Sequence, residues 1–108
     1  MGAAQTIDRI FHALGDPTRR AIVARVIQGP TSVSDLAKPL KMTLAAVVQH
    51  AQILEAGGGM VHSTKVGRIR MCLLEPKGLE LASQWIFGRR SLWDKRLGKL
   101  GSILGEED

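Results

Sequence analysis

The chain has 108 residues, which suits one domain, and 44% of them are hydrophobic, too many for a disordered chain. Its net charge of +5 favours an anionic partner, most simply nucleic acid, while the absence of Tyr and the presence of only two Phe argue against a stacking platform for single strands. One cysteine, Cys72, excludes an intramolecular disulfide and a cysteine-built metal site within one chain, and no apolar run reaches the ~20 residues of a membrane span.

The opening "MGAAQTIDRIFHALGD" has no basic stretch followed by an apolar one, so no signal peptide is expected, and the cytoplasm is the expected location. In "TIDRIFHALG", Ile7, Ile10, Phe11 and Leu14 recur at i, i+3, i+4 and i+7, which predicts an amphipathic helix with Thr6 as N-cap and Gly15 as its end. "DPTRRAIVARVIQGP" starts a second helix with Asp16 at the N-cap and Pro17 at the first helical position. Its apolar face is expected to be Ala21, Ile22, Val26 and Ile27, and Gly29-Pro30 stops it.

"TSVSDLAKPL" predicts a third, short helix with Ser32 and Asp35 at its start; Leu36, Ala37 and Leu40 face inward and Pro39 limits the length. A link of about three residues then leads to "TLAAVVQHAQILEAGGG", a helix capped by Thr43, and two helices so joined have the helix-turn-helix layout. After Gly57, Gly58 and Gly59, "MVHSTKVGRIRMCLLE" predicts two alternating strands around "KVGR". Met60, Val61, Ser63 and then Ile69, Met71, Leu73 mark the alternation. Lys65, Arg68 and Arg70 gather at the hairpin tip, and Gly67 supplies its turn.

The last segment steps by three or four through Leu79, Ala82, Ile86, Trp93, Leu97, Leu100 and Leu104, with Trp85 and Leu92 on the same face. Gly88 and Gly98 each weaken a helix interior by about 1 kcal/mol relative to Ala, so a bend at Gly88 or fraying after Gly98 is expected. The expected fold is mainly α with a small β-hairpin: five helices and a two-stranded wing, one domain over residues 1–104 and an acidic tail over 105–108.

With these elements in order, the chain resembles the ArsR-type bacterial transcriptional regulators. Leu14 to Arg20 match the family's Leu-x-Asp-Pro-Thr-Arg-Arg, and Ser32 to Ala37 match its Ser-Val-Ser-x-Leu-Ala. His50 to Glu55 match in part its His-Leu-x-x-Leu-Glu, and Lys65 to Arg68 match its Lys-x-Gly-Arg. The resemblance covers residues 7 to 97. It implies a homodimeric repressor that binds double-stranded DNA at a palindromic operator. Terminal helices form the dimer interface, recognition helices enter successive major grooves, and wings reach the flanking backbone. Apolar surface on the first and last helices agrees with a dimer, with Ile7, Ile10, Phe11, Leu14, Trp85, Ile86, Trp93 and Leu97 as its expected residues.

The expected DNA-binding residues are Thr43, Ala45, Ala46, Gln49, His50 and Gln52 on the recognition helix, Lys41 before it, and Lys65, Arg68 and Arg70 on the wing. Gln pairs in bidentate fashion with adenine, Ala or Val contacts a thymine methyl, and the first-turn N–H groups with Thr43 hold a phosphate. Inward positions of this helix are expected to be Leu44, Val47, Ala51 and Leu54. Arg19 and Arg20 sit either near the DNA backbone or in an ion pair with Asp16 or a neighbouring carboxylate.

His12, His50 and His62 lie on three different elements without the i, i+4 spacing of a helical metal site, so no metal and no cofactor are expected. No catalytic constellation or phosphate-cradling loop stands out, so no enzyme is expected. A small-molecule effector lodged between the terminal helices and Trp85 or Trp93 is compatible with the same function. Three departures from the family pattern fall together: Val48 in place of Ser, Ala51 in place of Leu, and three glycines in place of one. They predict a looser joint between recognition helix and wing. They also leave an alternative in which the winged helix serves as a protein-interaction module with weak or lost DNA binding.

Overall fold

The computed structural model describes residues 3–103. Leu104 and the acidic stretch 105–108 lie outside the described residues, as does the side chain of Leu100. The elements run α1 Ala3–Leu14, α2 Pro17–Ile27, β1 Thr31–Ser32, α3 Val33–Leu40, α4 Leu44–Ala56, β2 Val61–Val66, β3 Ile69–Leu74 and α5 Pro76–Ile103. This is a winged helix-turn-helix with five helices, as expected, but its sheet has three strands in the order β1-β3-β2. The added strand is two residues long, pairing Thr31 with Cys72 and Ser32 with Met71. Two residues have no period of their own, so nothing in the sequence pattern marks them as a strand.

Local signals set most helix boundaries. Asp16 accepts the Arg19 N–H at 3.0 Å, Ser32 accepts the Asp35 N–H at 3.0 Å, and Thr43 accepts the Ala46 N–H at 3.1 Å. Each such cap contributes about 1 kcal/mol by satisfying a donor the helix leaves open. The first helix differs from expectation. It begins at Ala3, so Thr6 is inside it and caps nothing, because the preceding "AAQ" contains good helix formers that extend the element backward.

The core gathers Ile10 and Ala13 from α1, Ile22, Val23 and Val26 from α2, Leu36 from α3 and Val47, Ala51 and Leu54 from α4, closed by Met60, Val61 and Cys72. Three expected faces rotate slightly. On α2, Val23 is buried while Ala21 and Ile27 are exposed, because the 22, 23, 26 phase points at the sheet and α4. On α4, Leu44 is 53% exposed, since its first-turn position lies ahead of the core that Val47 reaches. On β3, Cys72 is the buried position, whereas Ile69, Met71 and Leu73 form the opposite row. A one-residue change of strand phase moves every side chain to the other face.

The glycine junction corrects a further expectation. Gly58 is buried, and a Cβ there would strike Met60 Cε and lie 3.2 Å from Ala13 Cβ. Gly59 has φ +58°, and its carbonyl accepts the Gly78 N–H at 2.9 Å. The Met60 N–H reaches Leu54 O at 2.9 Å, and the Glu75 N–H reaches Met60 O at 3.0 Å. The three-glycine run is therefore a close backbone crossing that ties α4, the wing and α5 together, not a loose joint. Glycine suits Gly58 because the core leaves no room for a Cβ, Gly59 because of its left-handed φ, and Gly78 because the carbonyls of Gly58 and Gly59 lie against it.

α5 is helical without interruption through Gly88 and Gly98. At 28 residues it is about 42 Å long. Only its first turns meet the core, at Leu79, Leu81 and Ala82.

Candidate nucleic-acid interface

α3 and α4 are joined by a turn built on Lys41. Its N–H bonds Lys38 O and the Met42 N–H bonds Ala37 O, both at 3.2 Å. That is a Schellman ending, in which the turning residue takes the left-handed region, here φ 55° and ψ 45°. Glycine usually occupies this position; Lys41 instead places an exposed cation just before the N-terminus of α4.

With Val47, Ala51 and Leu54 buried, the opposite face of α4 is set by helical period. Ala45, Gln49, Gln52 and Ala56 recur there at i, i+4, i+7 and i+11, all exposed, with Thr43 at the open end. Ala46 and Val48 are half-buried, and Val48 packs on the core. Gln49, Gln52, Ile53 and Ala56 line a shallow groove with His12 and Gly57. This face carries amide and methyl groups and no charge.

The wing supplies charge instead. Lys65 and Arg70 are direct cross-strand partners, and Arg68 sits in the two-residue loop beside Gly67, whose φ is +65°. Gly at the first central position with positive φ is what a type II′ hairpin turn requires. All three cations are exposed, and among the described residues none has a carboxylate within 4 Å. Like charges opposed across a strand pair destabilise it, so this arrangement gains from an anion placed against it. The other face of the tip shows Val66 and Ile69, 63% and 55% exposed.

His50 lies elsewhere. It is half-buried on the flank of α4, with Nδ1 3.3 Å from Arg19 Nη1 and 4.0 Å from Asp16 Oδ2. Arg19 also donates from Nε to Ala13 O at 2.7 Å and from Nη2 to His12 O at 3.3 Å, and Arg20 donates to Leu14 O at 2.6 Å. Both arginines thus cap the open carbonyls at the C-terminal end of α1, where the helix dipole favours cations. The Arg19 N–H bond holds the Asp16 carboxyl below the usual carboxylate range against the opposing cost of burial, with smaller help from the Arg19 charge. This capping role was missed in the sequence. Its signal is an Arg pair opening a helix two residues after another helix ends.

The expected dimerisation residues divide. Ile10 leaves the set, because at 1% exposure it is spent in the protomer's own core. Ile7, Phe11 and Leu14 are half-buried, and Phe11 meets Trp85 edge to face at 5.5 Å. Trp85, Ile86, Trp93 and Leu97 are 40% to 63% exposed, joined by Leu92 on the same face. Phe87 is also exposed, but on the opposite side of α5, where Arg90 lies over its ring at 5.7 Å. Among the described residues no three His, Cys, Asp or Glu side chains come together as a metal site, and no helix is long and apolar enough to cross a membrane. His62 faces Glu55 at 3.4 Å.

Residues 14–64 match a family described as a helix-turn-helix domain. The chain is 39% identical over 79 residues to the HTH-type transcriptional regulator Rv2034 of Mycobacterium tuberculosis, covering 73% of each. It is 37% identical to an ArsR family transcriptional regulator of known structure, over 84% of this chain and 93% of that one, with a TM-score of 0.76. The fold is shared with a homodimeric winged helix-turn-helix DNA-binding domain from Mycobacterium bovis, at 21% identity, 81% and 82% coverage and a TM-score of 0.63. Both of these relatives are transcriptional regulators. The uncharged outward face of α4, the cationic wing and these likenesses converge on one assignment: the chain belongs to the ArsR family of winged helix-turn-helix transcriptional regulators.

Proposed function

We propose that the chain acts as a homodimer that represses transcription by binding a palindromic operator in duplex DNA. The observation that carries this is the division of α4: Val47, Ala51 and Leu54 inward, and Thr43, Ala45, Gln49 and Gln52 outward on a helix with its N-terminus open. Amide and methyl groups on such a face are the groups that read adenine and thymine edges in a major groove. Thr43 and Lys41 then meet a phosphate at the helix entrance, and Lys65, Arg68 and Arg70 meet the backbone beside it. Ala46 borders the same face.

Dimerisation is supported by the continuity of the α5 stripe. Its apolar face is covered by its own protomer as far as Ala82 and in part at Trp85, where Phe11 packs, then runs on exposed through Ile86, Trp93 and Leu97. A second copy buries it, and two-fold symmetry then matches a palindrome with half-sites about 34 Å apart. The fold relative from Mycobacterium bovis is homodimeric. The described residues belong to one proposed domain, and the cytoplasm is the proposed place of action. A depression lined by Ile7, Leu81, Gln84 and Trp85 between the terminal helices is where an effector would lodge.

The test is binding to the sequence recovered from random duplex DNA by selection, against unselected duplex. Affinity should exceed that for unselected DNA by ~10³ or more and fall with salt at a log–log slope of about −0.9 per phosphate neutralised. No recovered preference would refute the proposal. The alternative of a protein-interaction module with lost DNA binding drew on Val48 and the glycine run. Val48 packs inward and the glycines close a tight junction, so no observation favours it.

A further inference from the structure

The recognition helix of the proposed function packs inward through Val47, Ala51 and Leu54, with Val48 against the core, and its C-terminal end is tied by the Met60 N–H to Leu54 O bond. Its middle inward residue, Ala51, is only a methyl group, and apolar burial has little direction, so a polar contact on the flank of the helix adds control of its roll. A roll of about 10° moves a side-chain end by about 1 Å, and base recognition needs placement to within roughly 0.5 Å and 10–20°.

The Arg19 guanidinium is placed to do this. It is a junction of three helices: it belongs to α2, grips Ala13 O and His12 O at the end of α1, and reaches His50 on α4. Arginine only donates, so His50 Nδ1 must accept and the ring proton must sit on Nε2. The Asp16 carboxylate, bonded to the Arg19 N–H at 3.0 Å, lies on the same side of the ring at 4.0 Å. We propose that His50 is a positioning residue: its hydrogen bond to Arg19 fixes the roll of α4 and so aims Gln49 and Gln52 at the bases. This rests on α4 being the recognition helix. It moves His50 from a DNA contact to a support one helix position from Gln49.

The experiment compares wild type, His50→Ala and His50→Asn for binding to the selected operator and to unselected duplex across a salt series. It is joined by nitrogen spectroscopy of the His50 ring in the free protein. Asn presents an acceptor close to where Nδ1 stands; Ala presents none. The Ala variant should lose about tenfold in operator-to-unselected preference, with Asn staying within about threefold, and the salt slope on unselected DNA unchanged in both. The ring should carry its proton on Nε2, with Nδ1 accepting. Equal loss on both DNAs with a slope smaller by about 0.9 would make His50 a phosphate contact and overturn the inference. So would an unchanged preference in the Ala variant, or a ring protonated on Nδ1. Failure of the DNA-binding proposal looks different: wild type itself then shows no preference, whatever the ring spectrum reports.

Discussion

Gly78→Ala and Gly88→Ala make the same chemical change in the same helix and should have opposite effects. A Cβ at Gly78 would collide with the Gly58 carbonyl oxygen and stand 2.8 Å from Met60 Cγ and 2.9 Å from Gly59 O. Two of those three obstacles are backbone carbonyls, which cannot swing aside as a side chain can. Relief requires α5 to move off the glycine junction, which stretches the 2.9 Å bond from Gly78 N–H to Gly59 O. Overpacking costs about 1–3 kcal/mol and a weakened buried hydrogen bond about 1 more, while the gain in helix propensity returns up to ~1. The net is a loss of about 1–3 kcal/mol, or roughly 4–24 °C in Tm for a domain of this size. At Gly88 nothing lies within 4 Å, so only propensity acts, and the variant should gain about 1 kcal/mol, or roughly 4–8 °C. Thermal melts followed by circular dichroism, at one fixed protein concentration, measure both. A Gly78→Ala protein that melts within ~3 °C of wild type would refute the close-crossing account of the junction.

Lys41→Gly should relieve the left-handed backbone at the α3–α4 turn, raising stability by about 0.5–1 kcal/mol in urea titration, while removing a cation and flattening the DNA salt slope by about 0.9 per protomer. The Asp16 carboxyl is held below its ordinary value, so the stability it contributes is complete above about pH 4 and disappears as the pH falls through its folded value. Urea midpoints of wild type and Asp16→Asn should therefore converge between pH 5 and pH 2, roughly; a gap that widens in acid would contradict the sign. Thr31 Oγ1 is buried and has no hydrogen-bond partner among the described residues, so the near-isosteric Thr31→Val should be neutral or stabilising by about 1 kcal/mol, and a clear loss would mean the hydroxyl is satisfied. Burial pushes the Cys72 thiol up against the smaller opposing effects of Ser63 and Arg70, so alkylation in the native state should track unfolding and not the rate of an exposed thiol.

Features were legible in the sequence where a short stretch determines its own geometry. Asp16-Pro17, Ser32 and Thr43 each act on a helix start within three residues, and Gly67 acts on one turn, so their roles follow from local chemistry alone. Features that depend on what arrives from far along the chain were not legible. Gly58 reads as slack until Gly78, twenty residues later, lies against it. Arg19 and Arg20 read as neighbours of the DNA backbone or ion-pair partners of a carboxylate until the carbonyls of α1 come to rest beside them. Leu44 and Cys72 show the same limit at single-residue scale: an apolar position on a helix or strand declares a period, but the phase that is buried depends on the neighbour. At the candidate site, exposure of Gln49, Gln52 and the wing cations follows from period and turn chemistry. The inward hold on His50 needs three helices and has no local mark.

In the proposed DNA complex, the outward face of α4 and the wing divide two tasks that many DNA-binding surfaces merge. α4 presents no cation along Ala45, Gln49, Gln52 and Ala56, while Lys65, Arg68 and Arg70 stand together on the hairpin, with Lys41 at the turn. Phosphate contacts supply affinity that depends on salt and carries little sequence information; base-edge contacts discriminate and depend little on salt. Placing the two on separate elements makes them separable in the chain as well. Changes on the wing should shift affinity for every duplex alike, whereas changes on α4, or on the Arg19–His50 support behind it, should shift preference among duplexes. The glycine junction couples the two elements, since Gly58 and Gly59 connect the end of α4 to the start of the wing and are clamped by α5. In the proposed DNA complex, rigidity at that point would serve recognition: it would let the wing's hold on the backbone set the depth and register at which α4 meets the bases.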